Sequence, residues 1–324
     1  ALERITARRY RALAAENPVR LSFSGSLSPS DNVNGGSSEQ LAWLNVGGQL
    51  LPFAIPEESQ ELAGWKMTLS TDVDYRLSQG VSHLTRVSAG LAATRLYFPQ
   101  RVLDDVPELD ARSLGSTTAE LRLSHQWRQA GYTPVWRAGV SVSRGWQGGA
   151  DHAETLRGDL GVYLPDAGPG SLDLSITAQG QSRLDNDLYS TVVFGARLAY
   201  ALPVGENRLT LSLGAREAIG RSETQDYSAV LMGVRYDLGG PVFGGLGLGL
   251  GLDWEDRRHD TSPYAGGSAM WIDALTVSAE ATLDGLSVMG FAPVVTVSHG
   301  RKRSNASIYT SDQTSLSLGV RSQF

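Results

Sequence analysis

Few residues in this 324-residue chain have the types and spacing that catalysis or metal binding needs. The chain has no cysteine, which excludes thiolate zinc clusters and thiol nucleophiles. The glycine-rich stretch 239–251 is not followed by the Lys-Ser/Thr helix start of a phosphate-binding loop, and no Gly-x-Ser-x-Gly motif is present. A Ser–His hydrolase pair remains an alternative, but no pair stands out. The five histidines are scattered without metal-ligand spacing: His83, His125, His152, His259 and His299. We therefore expect no cofactor, no metal and no enzymatic activity.

Charged side chains that alternate with apolar ones are the remaining candidates for chemistry. Charges of both signs could cross-link a water-filled interior as an ion-pair network, which is the interpretation that we favour. Alternatively, the arginines could form a track for an anionic cargo. The sequence pattern does not identify any one arginine as more important for function than the others. The basic members are Arg86, Arg122, Arg137, Arg157, Arg197, Arg216, Arg235 and Arg321, and the acidic members are Asp72, Asp74, Glu120, Asp159, Asp173, Asp237 and Glu280.

A second candidate is a series of glycines at alternate positions: Gly245, Gly247, Gly249 and Gly251. A strand with no side chains on one face costs backbone entropy, and it lets another segment approach closely. We weigh two explanations equally. One is a plug, a folded-in loop or a passing polypeptide; the other is tight curvature of the sheet.

The elements that carry these residues are strands, because hydrophobicity alternates with a period of two from Pro18 onward. Trp65, Met67 and Leu69 alternate with Lys66 and Ser70, for example. Runs of about ten residues or more suit tilted membrane strands, whereas soluble strands average about five or six. Aromatic residues recur where interfacial girdles would fall: Trp65, Tyr97, Trp127, Trp146, Tyr200 and Trp254. We predict an all-β fold, a transmembrane antiparallel β-barrel of about 14 strands in the bacterial outer membrane.

Bulk composition agrees with that prediction. The mean hydropathy of −0.17 is near zero, as expected when every strand mixes a lipid face with a polar face. No apolar run approaches the roughly 18 residues of a membrane helix. The net charge of −6 provides no basic surface for nucleic acid, so we expect no nucleic-acid partner.

The lengths of the predicted links alternate. Six short links are rich in Gly, Pro, Asp or Asn: Ser78–Val81, Gln129–Thr133, Pro165–Gly170, Pro203–Asn207, Gly239–Pro241 and Asp284–Gly290. Links of the other parity include two long ones, about 28–62 and 99–113, and three short ones near 147–153, 184–187 and 222–226. Short periplasmic turns with longer external loops would place both termini in the periplasm.

The first segment, 1–16, has a helical apolar stripe that includes Leu2, Ile5 and Leu13. Asn17-Pro18 ends it, because the residue before a proline avoids the α region. It is either a short N-terminal helix or the remnant of a helical domain, in a chain whose export signal is already gone. The barrel would then occupy 17–324.

Three short motifs carry a family resemblance. The end Leu316–Phe324, with alternating apolar residues and a final aromatic, resembles the signal that the barrel assembly machinery recognises. The segments Ser30–Gly35 and Arg303–Tyr309 resemble the opening and closing blocks of the surface lipoprotein assembly modifier (Slam) barrels. The motif residues are Asn32, Asn34, Ser304, Asn305 and Phe324. We expect the polar motif residues to fix loop geometry as Asx turns rather than to contact a client.

The resemblance implies a periplasmic tetratricopeptide-repeat domain followed by a fourteen-stranded barrel, so that 1–16 would be the tail of the repeats. It also implies a non-enzymatic translocator that helps lipoproteins or secreted proteins reach the cell surface. The implied partners are outer-membrane lipid, the barrel assembly machinery and a lipoprotein or secreted client. Two alternatives stay open. A polysaccharide-export barrel would have about sixteen strands and acidic or aromatic pore residues, and a passive porin would conduct small solutes.

Overall fold

A computed structural model describes residues 17–46, 49–129, 131–239, 246–265, 269–287 and 290–322. These residues form a closed barrel of fourteen antiparallel strands and a separate two-stranded sheet. The predicted fold class and strand number are confirmed. The predicted helix at 1–16 lies outside the described residues.

The barrel closes because its first strand, Val19–Ser30, pairs both with the next barrel strand, Gly64–Gln79, and with the last one, Ser311–Ser322. Every other barrel strand pairs with its neighbours along the chain. The barrel strands are β1 (Val19–Ser30), β4 (Gly64–Gln79), β5 (His83–Tyr97), β6 (Ser116–Trp127), β7 (Val135–Gln147), β8 (Ala150–Ala167), β9 (Gly170–Arg183), β10 (Thr191–Val204), β11 (Asn207–Gly220), β12 (Tyr227–Asp237), β13 (Leu246–His259), β14 (Met270–Leu283), β15 (Phe291–Ser304) and β16 (Ser311–Ser322). The separate sheet is the hairpin β2 (Leu41–Val46) and β3 (Gln49–Ala54).

The outer surface of the barrel is apolar. Leu121 lies opposite Ala89 on one side and Val142 on the other, so side chains of one parity line up across strands. The large apolar side chains of this parity are exposed on almost every strand, which in water would be unfavourable but in hydrocarbon is not. They include Leu21, Leu69, Val73, Leu91, Leu121, Val142, Leu156, Ile176, Phe194, Leu213, Met232, Leu250, Val277, Val297 and Leu318. This belt identifies a membrane-spanning barrel of the outer-membrane type.

The two ends of the barrel differ. We call the end formed by links 31–63, 98–115, 148–149, 184–190, 221–226, 260–269 and 305–310 the loop rim. The opposite end, the turn rim, is formed by 80–82, 128–134, 168–169, 205–206, 238–245 and 284–290. The two longest links, 31–63 and 98–115, both lie at the loop rim, but the asymmetry is partial, because the loop-rim link 148–149 is shorter than the turn-rim link 128–134.

Two predicted loops contain structure that the sequence reading missed. The link 31–63 holds the β2–β3 hairpin, and the link 98–115 holds a short helix, α1 (Gln100–Asp105). In the described part of the chain, no helix is long and apolar enough to cross a bilayer.

Aromatic side chains lie near both rims, as interfacial girdles do. Trp65 faces Tyr97 across β4 and β5 near the loop rim. Trp127 and Trp136 stack at the turn rim with ring centroids 6.5 Å apart. Trp254 differs from the prediction, because it lies within β13 and donates a 2.8 Å hydrogen bond from Nε1 to Asp273.

Candidate functional site

The polar parity of the strands faces the lumen, since it is opposite to the exposed apolar belt. Each lumen-lining candidate that the structure describes lies on this inner parity: Arg86, Arg122, Arg137, Arg157, Arg197, Arg216, Arg235, Gly247, Gly249, Gly251, Glu280 and Arg321. Gly245 lies outside the described residues.

Four of the arginines reach across an intervening strand to a carboxylate; one is Arg321 on β16, which lies 3.5 Å from Glu280 on β14. Arg122 on β6 passes over Gly139 on β7 and contacts Asp159 on β8 at 2.5 Å. Arg137 on β7 passes over β8 near Gly161 and contacts both carboxylate oxygens of Asp173 at 2.7 Å. These pairs are half-buried. We call them braces, because each one links two strands that are not neighbours.

The third brace explains part of the glycine series. Arg235 on β12 lies 2.8 Å from Asp237 and 3.5 Å from Glu280 on β14. Its guanidinium crosses β13 above Gly249, where an added Cβ would lie 2.8 Å from Nη2 of Arg235. At Gly251 an added Cβ would lie 2.6 Å from the Ser278 hydroxyl. Neighbouring side chains therefore use the space that Gly249 and Gly251 leave, and the expected ion-pair network is present on this wall.

The remaining inner arginines are different. Among the ion pairs that the described residues form, none includes Arg86, Arg157, Arg197 or Arg216. Three of these four line one lumen cavity of about 830 Å³, namely Arg157, Arg197 and Arg216. The structure therefore separates the arginines into two groups that the sequence pattern could not distinguish.

The loop rim carries the first motif, which is centred on Asn32. This side chain is fully buried, and its Nδ2 donates to the carbonyls of Gly36 at 3.0 Å and Asp312 at 3.2 Å. Its Oδ1 accepts the amide of Gly36 at 2.9 Å. The inward-facing Gln313 donates to the carbonyl of Asn32 at 2.6 Å. The segment that leaves β1 is thereby fixed to the start of β16.

The other motif residues also bind backbone groups. Asn34 donates to the carbonyl of Gln60 at 2.7 Å and accepts the amide of Leu62 at 3.0 Å. Ser304 donates to the carbonyl of Trp271 at 2.6 Å, and Asn305 accepts the Trp271 amide at 2.9 Å. All of these contacts are to backbone groups, but the amides that Asn32, Asn34 and Asn305 accept are four or more residues away in sequence, so they are not the expected Asx turns. Phe324 lies outside the described residues.

The segment that follows the opening motif meets the end of the closing motif at the loop rim. Ser37 donates from its hydroxyl to the carbonyl of Ser307 at 2.9 Å, and Ser307 donates to the carbonyl of Leu41 at 2.7 Å. The backbone amide of Ser38 donates to Thr310 at 2.9 Å. Two segments separated by about 270 residues in sequence thus form one hydrogen-bonded unit, which the sequence alone could not show.

This unit holds the β2–β3 hairpin. The base of the hairpin is buried at Ala42 and Ile55, and β2 lies beside the loop segments 263–265 and 307–309. In that loop region Tyr264 packs edge-to-face on Tyr309 at 6.2 Å, and burial raises the pKa of Tyr309. Other apolar side chains of the hairpin are exposed: Leu41, Trp43, Leu50, Leu51 and Phe53. No charged residue occurs from 41 to 55.

The described residues contain no cluster of three or more histidine, aspartate or glutamate side chains placed to hold a metal ion. The two candidate functional features are therefore the lumen wall with its charged side chains and the apolar β2–β3 hairpin at the loop rim.

No protein-family model matches this chain, and none of the curated proteins matches it. Solved outer-membrane proteins resemble it in structure. OprD of Pseudomonas aeruginosa aligns with a TM-score of 0.42 at 12% identity, over 94% of each chain. OmpT of Vibrio cholerae aligns with a TM-score of 0.48 at 8% identity, over 95% of this chain and 98% of that one. The KdgM porin aligns with a TM-score of 0.37 at 10% identity, over 94% of this chain and 99% of that one. Such low similarity concerns the barrel architecture and says nothing about cargo.

Proposed function

We propose that this barrel is a non-enzymatic translocator that helps lipoproteins or secreted proteins to reach the cell surface. The observation that supports the proposal best is the hydrogen bonding between the chain around the opening motif and the chain around the closing motif, the two motifs that resemble the Slam family. Residues around Asn32 and around Ser307 form one unit at the loop rim. In this proposal both termini are periplasmic and the loop rim is external, so that the unit lies where a client emerges.

The hairpin gives this proposal a contact surface. A lipoprotein client carries acyl chains, which must be kept from water when they leave the barrel. The exposed side chains of Trp43 and Leu50 are apolar, and the hairpin that carries them is attached to the rim through its buried base. In this proposal the hairpin contacts the apolar, lipid-bearing part of the client. The barrel assembly machinery and outer-membrane lipid remain expected partners.

The experiment is surface display of a co-encoded lipoprotein in cells that contain or lack the full-length protein. The proposal expects display to fall sharply without the protein and to return when it is supplied again. Unchanged display would contradict it. If polymer export failed instead, the protein would be a polysaccharide exporter, although such a barrel was expected to have about sixteen strands rather than the fourteen present.

A passive channel is the second candidate function, because the lumen contains cavities of about 830 Å³ and 320 Å³ lined by polar residues. Liposome swelling with small solutes separates the two candidates. Rapid, size-limited solute entry together with unchanged lipoprotein display would favour the passive channel.

A further inference from the structure

One lumen cavity has the composition of an anion-binding site. It has a volume of about 830 Å³, and Arg157, Arg197, Arg216 and Lys302 line it from strands β8, β10, β11 and β15. None of these four cations takes part in an ion pair in the part of the chain that the structure describes. Arginine binds carboxylates through a planar fork of donors, so free guanidinium groups in a confined space favour carboxylate ligands.

Three other lumen arginines are paired with carboxylates. Arg122, Arg137 and Arg235 are each within 2.8 Å of a carboxylate oxygen. If the lumen arginines served only to cross-link strands, Arg157, Arg197 and Arg216 would be expected to have carboxylate partners as well. Instead, β9, which lies between β8 and β10, presents neutral residues such as Ser175 and Thr177 to the cavity.

Acids also line this cavity, on one side of it. Asp253 and Glu255 are on β13, which is separated from β11 by β12. Glu255 accepts hydrogen bonds from Arg257 at 2.6 and 3.0 Å, so its charge is already neutralised. Asp253 forms no ion pair with the described side chains, and it lies against Gly233, where an added Cβ would be 2.9 Å from its Oδ1. The cationic wall is therefore the part made by β8–β11.

The spacing of two arginines defines the ligand further. Arg197 pairs with Gly214 and Arg216 pairs with Gly195, so the two arginines are diagonal neighbours on β10 and β11. Diagonal neighbours are about 7–8 Å apart. In an extended peptide, residues i and i+2 project from the same face and are about 6.7 Å apart. At Gly214 an added Cβ would have no atom nearer than 3.4 Å, so a ligand can approach the wall there, and at Gly195 the Thr177 hydroxyl lies 2.8 Å from that position.

We propose that this wall binds an extended acidic polypeptide segment, with carboxylates at positions i and i+2 received by Arg197 and Arg216. Arg157 and Lys302 add attraction for further acidic residues along the same segment. The inference rests on the proposed function, because it assumes that a polypeptide enters the lumen. It goes further by naming the chemistry of the segment that the lumen holds.

The test measures fluorescence anisotropy of labelled pentapeptides with the full-length protein in detergent micelles at low salt. One probe is Ser-Glu-Ser-Glu-Ser and the other is Ser-Glu-Glu-Ser-Ser, which carries the same charge with the wrong spacing. We expect the alternating peptide to bind at least fivefold more tightly. R197Q and R216Q should each weaken its binding at least fivefold, whereas R101Q, on the exposed helix α1, should leave it unchanged.

Three results would overturn the inference: equal binding of both peptides, unchanged binding in R197Q and R216Q, or full displacement by citrate at equal carboxylate concentration. The last would identify a site for small free anions. These results are separable from the proposed function. Lipoprotein display that requires the barrel but tolerates R197Q/R216Q contradicts only the acidic-segment inference. Selective peptide binding without any effect on display contradicts only the translocator.

Discussion

Arg137 and Asp173 contact each other across a whole strand, with Nη2 of the arginine 2.7 Å from both carboxylate oxygens. Strand β8 passes beneath them, and Gly161 leaves the necessary room, since an added Cβ there would lie 3.1 Å from Nη2. Ion pairs of this exposure contribute about 1 kcal/mol or less each. Their main effect is to fix charged side chains against the wall and to relate strands that share no hydrogen bonds.

The braces can be tested at Gly139. A Cβ there would lie 2.5 Å from Nη2 of Arg122 and 2.8 Å from Oδ1 of Asp159, so Gly139→Val must displace the ion pair. We expect the free energy of unfolding to fall by about 1–3 kcal/mol, as in other overpacked sites. Urea-induced unfolding in lipid vesicles, followed by tryptophan fluorescence, measures this change.

Gly158→Val is the matched control. Gly158 faces the lipid on β8, and an added Cβ would have no atom within 4 Å. That variant should unfold within about 0.5 kcal/mol of the unchanged protein, as surface substitutions usually do. Equal destabilisation by both variants would show that the glycines serve strand curvature rather than the braces.

Much of the barrel was predictable from sequence, because one face meets hydrocarbon and the other meets water. That requirement repeats on every strand, so Leu69, Leu121 and Leu213 all fall on a recognisable parity. The lumen residues follow as the complementary set. The braces were less visible, although glycine on a strand between an arginine strand and an acidic strand is a usable signal at Gly139 and Gly249.

Contacts between distant segments could not be predicted. The register that brings Asn32 to Asp312 depends on closure of the barrel between β1 and β16, and no local pattern encodes it. The hairpin was missed because Leu41–Val46 and Gln49–Ala54 are apolar on both faces and lack a clean alternation. A paired lumen arginine differs from an unpaired one in having a carboxylate within reach on the strand after next, which the local sequence does not show.

The buried amide of Asn32 should hold the loop unit together. Asn32→Ala removes three hydrogen bonds and leaves the carbonyl of Asp312 without this donor. Each buried polar group left without its partner costs about 1–3 kcal/mol. We expect limited proteolysis to cut within 31–63 at least tenfold faster, while the barrel strands stay resistant.

Asn186→Ala serves as the comparison for that experiment. Asn186 lies in the exposed link 184–190, and its side chain accepts one hydrogen bond, from the amide of Leu188. This variant should leave cleavage of 31–63 unchanged. If Asn32→Ala behaved in the same way, the loop unit would not depend on the motif.

The hairpin should matter for delivery rather than for folding. Trp43 and Leu50 are 52% and 57% exposed, so replacing both with serine removes no packed contact from the barrel. We expect Trp43→Ser/Leu50→Ser to reduce lipoprotein display severalfold while heat-modifiable migration of the barrel stays the same. Leu188→Ser changes an equally exposed leucine in another rim loop and should preserve display. Normal lipoprotein display in the hairpin variant would show that the hairpin is not needed for delivery of the client.

The opposite solvation of the two strand faces is measured most directly on β11. The chain has no cysteine, so single substitutions Thr210→Cys, Leu211→Cys, Ser212→Cys and Leu213→Cys each create one site for a spin label. In lipid vesicles, we expect labels at 211 and 213 to collide mainly with oxygen, which concentrates in hydrocarbon. Labels at 210 and 212 should collide mainly with a water-soluble nickel chelate. Accessibility that fails to alternate along these four positions, or that alternates with the opposite parity, would contradict the assignment of lipid face and lumen.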